Sequence, residues 1–374
     1  MITDFSSVPF LLRSDSSCQI RSLLAKCYER NYAWVKKRFI CFFGIRLKTG
    51  TICLIKDILE VLEAKSVKAF EKAKQQLSTE EIENTRLRRA LDYYKMNWND
   101  VLHPGILAIA CEAVGGNEEQ SILMQVPMLF LSAAADLHDD ILDESQMKNG
   151  KLTVAGKYGT EVALLVGDQM LFKAMKALYT SSKTIATEKM DSIISAIDEA
   201  FVEVGEAHIV EMGFKEKPAS NPKSYFRLLE RKSAILEAHT RIGALVGDGD
   251  EREIENLTRY GRILGTLMTI RDEFIDLFEP KELADRLKNG CLPLPMIYAY
   301  QNPLVKKEVM AILSKPEISR KDADIVVDLV FEDRHVKRLR DEMAELSTKA
   351  LELTTGLCKR KNLELAVNAL LDDL

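Results

Sequence analysis

Residues 128–143 read Met-Leu-Phe-Leu-Ser-Ala-Ala-Ala-Asp-Leu-His-Asp-Asp-Ile-Leu-Asp, and this stretch decides how the chain is understood. An apolar run from Met128 to Ala135 runs straight into the carboxylates Asp139, Asp140 and Asp143, so a buried helix ends in acid. On a helix Asp139 and Asp143 lie four residues apart on one face, and Asp136 and Asp140 make a second such pair beside them. Like charges held together in partly buried surroundings raise one another's pKa unless a cation intervenes. A divalent metal with oxygen ligands resolves that repulsion. Mg²⁺ fits best, because it takes one or two carboxylates, keeps several waters and completes its shell with substrate phosphate.

A second acidic stretch follows much later, Ile270-Arg271-Asp272-Glu273-Phe274-Ile275-Asp276, again after an apolar helical segment, Ile263 to Ile270. One such motif alone is what any solvated helix end produces. Two of them, each attached to an apolar helix, predict a pair of clusters clamping a diphosphate through metal ions.

The surroundings agree with a helical protein. The chain has 374 residues, 47% hydrophobic and 29% charged, which suits a globular protein rather than a disordered or fibrous one. Gly (18) and Pro (10) are scarce, so helix breakers are few. From Ile58 onward apolar residues recur at spacings of three and four, as in Leu59, Leu62, Val67 and Phe70. Breakers at Pro104, Gly115-Gly116, Asn149-Gly150, Gly167, Pro218 to Pro222, Gly247 to Gly249, Pro280, Asn289-Gly290 and Pro303 cut it into helical lengths. The expectation is an all-α fold of ten or more helices, one domain over 58–374, to which the family resemblance given below adds a central cavity. Residues 1–57 form a separate extension that is basic and holds four of the seven cysteines.

Lys and Arg number 52 against 57 Asp and Glu, a net charge of −5 that gives no global reason to bind nucleic acid. The longest uncharged apolar stretches, such as Val126 to Ala135, fall short of about 20 residues, so no transmembrane segment is expected. The N-terminus lacks the pattern of a secretory signal, and the expected compartment is the cytoplasm. The odd number of cysteines includes no CxxC pair, which suits free thiols and argues against a zinc site.

With both acidic motifs in hand, residues 58–374 resemble the trans-isoprenyl diphosphate synthases, or polyprenyl synthetases. His138 to Asp143 is similar to that family's first aspartate-rich motif. Asp272-Glu273-x-x-Asp276 resembles the second, with Glu273 in place of the usual Asp. Glu112 to Gly116, Leu165 to Leu171 with Lys173, and Tyr225 followed by Lys232 to Leu236 match further segments in order. The resemblance implies that Asp139, Asp143 and Asp272 hold Mg²⁺, with Asp140, Glu273 and Asp276 close by and Glu273 and Asp276 also counted as ligands. It implies that Lys232 contacts the allylic diphosphate, and it predicts a homodimer or a heteromer with a related synthase. Met128, Leu131, Ala134 and Ala135 would line the prenyl pocket, against the plainer reading that they are core. Alanines just before the motif suggest a deep pocket, suited to chains of about C15 to C20.

The acceptor side departs from the family. Where members carry GKRxRP to hold isopentenyl diphosphate, this chain reads Asn99-Asp100-Val101-Leu102-His103-Pro104. Ser132 replaces a histidine, Lys148-Asn149 replaces paired arginines, Thr269 a glutamine and Cys291 a lysine. Lys148 is counted with Lys232 among the substrate-binding residues. Lys148, Arg271, Lys281, Arg286 and Lys288 read first as surface bases, with the alternative that they supply charge in another geometry. His138 reads as a residue that orients its neighbours, and His208 and His239 as core or surface residues rather than ligands. Three functions fit: a prenyltransferase joining an allylic diphosphate to isopentenyl diphosphate or another acceptor, a terpene-synthase-like lyase, or a non-catalytic subunit tuning an active partner.

Overall fold

A computed structural model describes residues 54–372 apart from 79–81, 149, 216–220, 278–282, 284–285, 287–291 and 316–318. Lys281, Lys288, Cys291, Asn149 and nearly all of the basic N-terminal extension fall outside the described residues.

The helices are α1 (Leu54–Ser78), α2 (Thr85–Asn97), α3 (Leu102–Ala113), α4 (Glu118–Leu142), α5 (Val154–Tyr158), α6 (Thr160–Ser181), α7 (Thr187–Met212) and α8 (Pro222–Lys232). There follow α9 (Ala234–Val246), α10 (Glu251–Asp276), α11 (Leu294–Ala299), α12 (Pro303–Leu313), α13 (Arg320–Glu332), α14 (Arg334–Leu353) and α15 (Lys361–Asp372). The one sheet among the described residues is a hairpin between α4 and α5, β1 (Met147–Lys148) against β2 (Lys151–Leu152), antiparallel. The fold is all-α, as the sparse breakers imply.

α1 is described from Leu54, and Ile55 is buried with Ile58 and Leu62 against α3 and α15. Two expected breakers lie inside helices. Pro104 is the third residue of α3, where its missing N–H would have had no intrahelical partner in any case. Gly167 sits within α6 because a Cβ there would come 2.5 Å from His138 Nε2, so the glycine lets α6 lie close against α4.

Two long helices carry the acidic motifs, and both start under sequence control. Asn117 and Gln120 form a capping box at the head of α4, and Asp250 and Glu253 form another at the head of α10. Among the described residues α4 alone is long and apolar enough to cross a membrane, and 72% of its apolar window is buried in the protein. Leu129, Phe130, Ala133 and Ala134 on α4 pack with residues of α1, α2, α3, α6, α7 and α9 in one core cluster. A second cluster surrounds the C-terminal half of α10 with α8, α11, α13 and α14. α9 packs against α4, α7 and α10, so it ties the two acidic helices into one body.

Candidate active site

Asp143 caps the C-terminus of α4, and its N–H donates to the Asp139 carbonyl at 2.9 Å, which keeps the two carboxylates on one face. Burial and then the Asp143 charge raise Asp139 above the usual carboxylate range, with His208, Lys148 and Lys232 pulling the other way. His208, on α7, brings Nε2 to 3.5 Å from Asp139 Oδ1. One turn further along α7, Glu211 pairs with Lys232 at the end of α8. His208 and Glu211 thus bring the first acidic motif and Lys232 to one side of α7. By sequence His208 reads as a core or surface residue, although the His208-x-x-Glu211 spacing already puts both side chains on one helical face.

Asp140 points elsewhere. It is buried and takes Lys148 Nζ at 3.3 Å, and Lys148 also binds Asp136. Burial pushes Asp140 up to about 6 in spite of that lysine. His138 sets its Nε2 at 3.5 Å from Asp168 Oδ1 on α6, packed against Gly167.

The second motif divides in the same way. Asp272 stays 46% exposed at its side chain, and burial of the rest with the neighbouring Asp276 carboxylate pushes it up to about 7, against the pull of Arg271. Glu273 turns inward and is 2% exposed. Its Oε1 accepts from the Tyr225 hydroxyl at 2.7 Å and from Arg286 Nη1 at 3.2 Å, and its Oε2 accepts from the Leu294 N–H at 2.7 Å. Both oxygens are spent within the protein, so the placement does not present Glu273 as a metal ligand. Asp276 accepts from Arg286 Nε at 2.8 Å. Arg286 is therefore no surface base: it locks the end of α10. Arg271 is not one either, being only 6% exposed.

Of the four residues expected to line a prenyl pocket, Met128, Leu131 and Ala134 are buried in the core cluster and Ala135 is half-buried. A cavity of about 80 Å³ opens elsewhere, beside Asp272, lined by Ile55, Leu59, Leu102, Leu264, Met268 and Leu370 among others. None of the four reaches it.

A larger cavity, about 180 Å³, lies where the acceptor motif departs from the family, between the α2–α3 connection, α4 and the hairpin. Its walls include Trp98, Asp100, His103, Asp136, Asp140 and Lys148. His103 Nδ1 lies 2.7 Å from Asp100 Oδ2. Burial opposes charge on His103, but Asp100 outweighs it and the imidazole is raised above 6.5. The His239 ring sits 4.9 Å away, and burial drives its pKa down to about 3.

Among the described residues no three His, Cys, Asp or Glu side chains converge into a metal cage. Mg²⁺ asks for less than a cage, one or two carboxylates with the rest water and phosphate. Asp139, held in place with Asp143 and raised by burial and by the Asp143 charge, is such a carboxylate, and the half-exposed Asp272 is another. Raised carboxyl groups carry a consequence for stability. A folded-state pKa above the unfolded value of 3.8 stabilises fully below about pH 4 and loses that contribution as pH rises through about 6 for Asp140 and about 7 for Asp272. The urea midpoint of metal-free protein should fall from about pH 4 to about pH 8, and Mg²⁺ should restore part of it at the upper end only. A flat midpoint across that window would contradict the crowding of these acids.

Comparison with known proteins places this architecture. A geranylgeranyl pyrophosphate synthetase from Pyrococcus horikoshii superposes with a TM-score of 0.74 over 84% of this chain and 98% of its own, at 24% identity, which shows a shared fold. The polyprenyl synthetase family profile matches residues 84–330, and the chain belongs to that family. It is a prenyltransferase of the trans-isoprenyl diphosphate synthase family. Among its relatives, a short chain isoprenyl diphosphate synthase of Methanothermobacter thermautotrophicus is 25% identical over 60% of this chain and 68% of its own length. A geranylgeranyl diphosphate synthase of Methanosarcina mazei is 26% identical over 71% of this chain and 83% of its own.

Proposed function

We propose that the protein ionises an allylic prenyl diphosphate of about C15 to C20 in a Mg²⁺-dependent reaction and passes the prenyl chain to isopentenyl diphosphate or another acceptor. The observation that carries this reading is the grouping of Asp139, His208, Glu211 and Lys232 at the end of α4. Bound Mg²⁺ supplies Lewis-acid stabilisation of the charge that develops on departing pyrophosphate. Asp139, Asp143 and Asp272 would hold it. Glu211 holds Lys232 in position to meet the anionic leaving group, and a fixed cation of this kind stabilises developing charge without reorganising. Relatives named geranylgeranyl diphosphate synthase support the upper end of that chain length, alongside one named octaprenyl diphosphate synthase. A lyase reading on the same scaffold draws on the altered acceptor cavity, whose lysines are engaged with carboxylates and amide oxygen.

Purified protein given geranyl, farnesyl or geranylgeranyl diphosphate with Mg²⁺, with and without isopentenyl diphosphate, tests this by pyrophosphate release and product mass. Release that requires Mg²⁺ is expected. Release without isopentenyl diphosphate, yielding a hydrocarbon, would favour the lyase, and no release from any substrate would remove the reading.

The free thiols Cys111 and Cys358 suit a cytoplasmic setting. A homodimer is supported by apolar side chains left in the open on α6 and α7, with Phe172 71% and Ile209 70% exposed and Met175, Tyr179 and Phe201 beside them in sequence. Phe172→Glu should convert a dimer to monomer in analytical ultracentrifugation while leaving the helical content unchanged. A wild-type protein that sediments as a monomer would contradict the dimer.

A further inference from the structure

The cavity of about 180 Å³ meets α4 at Asp136 and Asp140, and Asp140 belongs to the first acidic motif, so an occupant lies on the face of α4 next to the one that carries Asp139 and Asp143. Its charges are already matched. Lys148 is taken by Asp136 and Asp140, Lys151 Nζ reaches Asn97 Oδ1 at 3.2 Å, and His103 faces Asp100. With three carboxylates and two lysines in the lining, a second diphosphate would enter without a net positive charge to meet it. The volume is near the roughly 150 Å³ that admits one benzene ring in an apolar cavity, and Tyr93, Tyr94 and Trp98 give aromatic walls.

His103 is arranged for proton transfer. Its Nδ1–H donates to Asp100 Oδ2 at 2.7 Å and its backbone N–H donates to Asp100 Oδ1 at 3.2 Å, so the carboxylate fixes both the ring and the tautomer. The neutral ring then carries its lone pair on Nε2. His239, 1% exposed, donates from Nδ1 to the Ile235 carbonyl at 2.7 Å and leaves its buried Nε2 without a hydrogen-bond partner next to His103.

We propose that this cavity takes an uncharged, ring-sized hydroxyl acceptor and that His103, positioned by Asp100, removes its proton. The step rests on the allylic ionisation proposed above. The C1–O bond of the prenyl diphosphate breaks with its electron pair leaving on pyrophosphate. An oxygen lone pair of the acceptor forms the new C–O bond to C1, and the hydroxyl proton passes to His103 Nε2 and on to solvent. The product is a prenyl ether.

The test uses the full chain, geranylgeranyl diphosphate, Mg²⁺ and phenol as the probe acceptor, with ether and pyrophosphate measured together. Ether is expected from the wild type. His103→Ala should cut the ether formed per pyrophosphate released by about 10²-fold, the chain going to water instead. Asp100→Asn should lower kcat for ether with little change in KM for phenol, and Asp100→Glu should recover part of it; equal loss in both would mark a merely structural role. His103→Gln, checked by thermal melting, stands in if the alanine variant does not fold. Elongation by isopentenyl diphosphate with no ether, or ether formed equally well without His103, would overturn the proposal. Should no pyrophosphate be released at all, the ionisation reading fails, and binding still decides the cavity. In ¹⁵N-histidine-labelled protein the His103 ring signals should move with phenol and not with inorganic pyrophosphate, and the reverse selectivity would overturn it.

Discussion

Asp139→Asn should lower Mg²⁺-dependent pyrophosphate release from an allylic diphosphate by about 10²- to 10³-fold, the scale seen when one preorganised stabiliser of developing charge is removed. Asp272→Asn should do the same. The substitution keeps the size of each side chain and removes the charge. Neither residue is a core element: the Asp139 side chain is 39% exposed and that of Asp272 46%. Circular dichroism should therefore be unchanged. Relief of like charge between residues 139 and 143 should even steady the metal-free protein slightly, since burial and the Asp143 charge are what raise Asp139. Full activity in either variant would remove the metal assignment.

Glu273→Ala should act on stability and cost about 3–5 kcal/mol, the range for removing one partner of a buried ion pair. The residue is buried and satisfies three donors at once, the Tyr225 hydroxyl, Arg286 Nη1 and the Leu294 N–H. Alanine strands all three. Glutamine fills the same space and keeps an acceptor oxygen, so Glu273→Gln should cost less. Urea denaturation measures both. If Glu273→Ala instead weakened Mg²⁺ dependence and left the midpoint alone, the residue would return to the ligand role its sequence position suggested.

The contrast between these two variants shows what the sequence carries. Helical periodicity, scarce Gly and Pro and two acidic helix ends are local patterns, and local patterns are what a linear reading sees. Asp139 and Asp143 are legible because four residues make one helical turn. Glu273 is not: adjacent residues on a helix point about a quarter-turn or more apart, so Asp272 faces out while Glu273 faces in. Only the packing of α8 and α11 against α10 decides which side is the interior. The same holds for Arg271 and Arg286, read as surface bases and found buried or ion-paired.

The all-α class and the two acidic motifs are legible in the sequence because each depends on residue type and short spacing, and the loss of bases in the acceptor motif is legible through the family resemblance. The tertiary structure decided the partners: His208 beside Asp139, Glu211 on Lys232, Arg286 on Glu273 and Asp276, and His103 against Asp100 within a cavity closed by α4 and the hairpin. His208 and Asp139 come from helices far apart in the chain, Glu211 and Lys232 from consecutive helices, and Arg286 reaches back ten and thirteen residues to α10. Helical spacing does not pair these residues; the burial of apolar faces that brings the helices together does, and only His103 with Asp100 is a local contact, three residues apart.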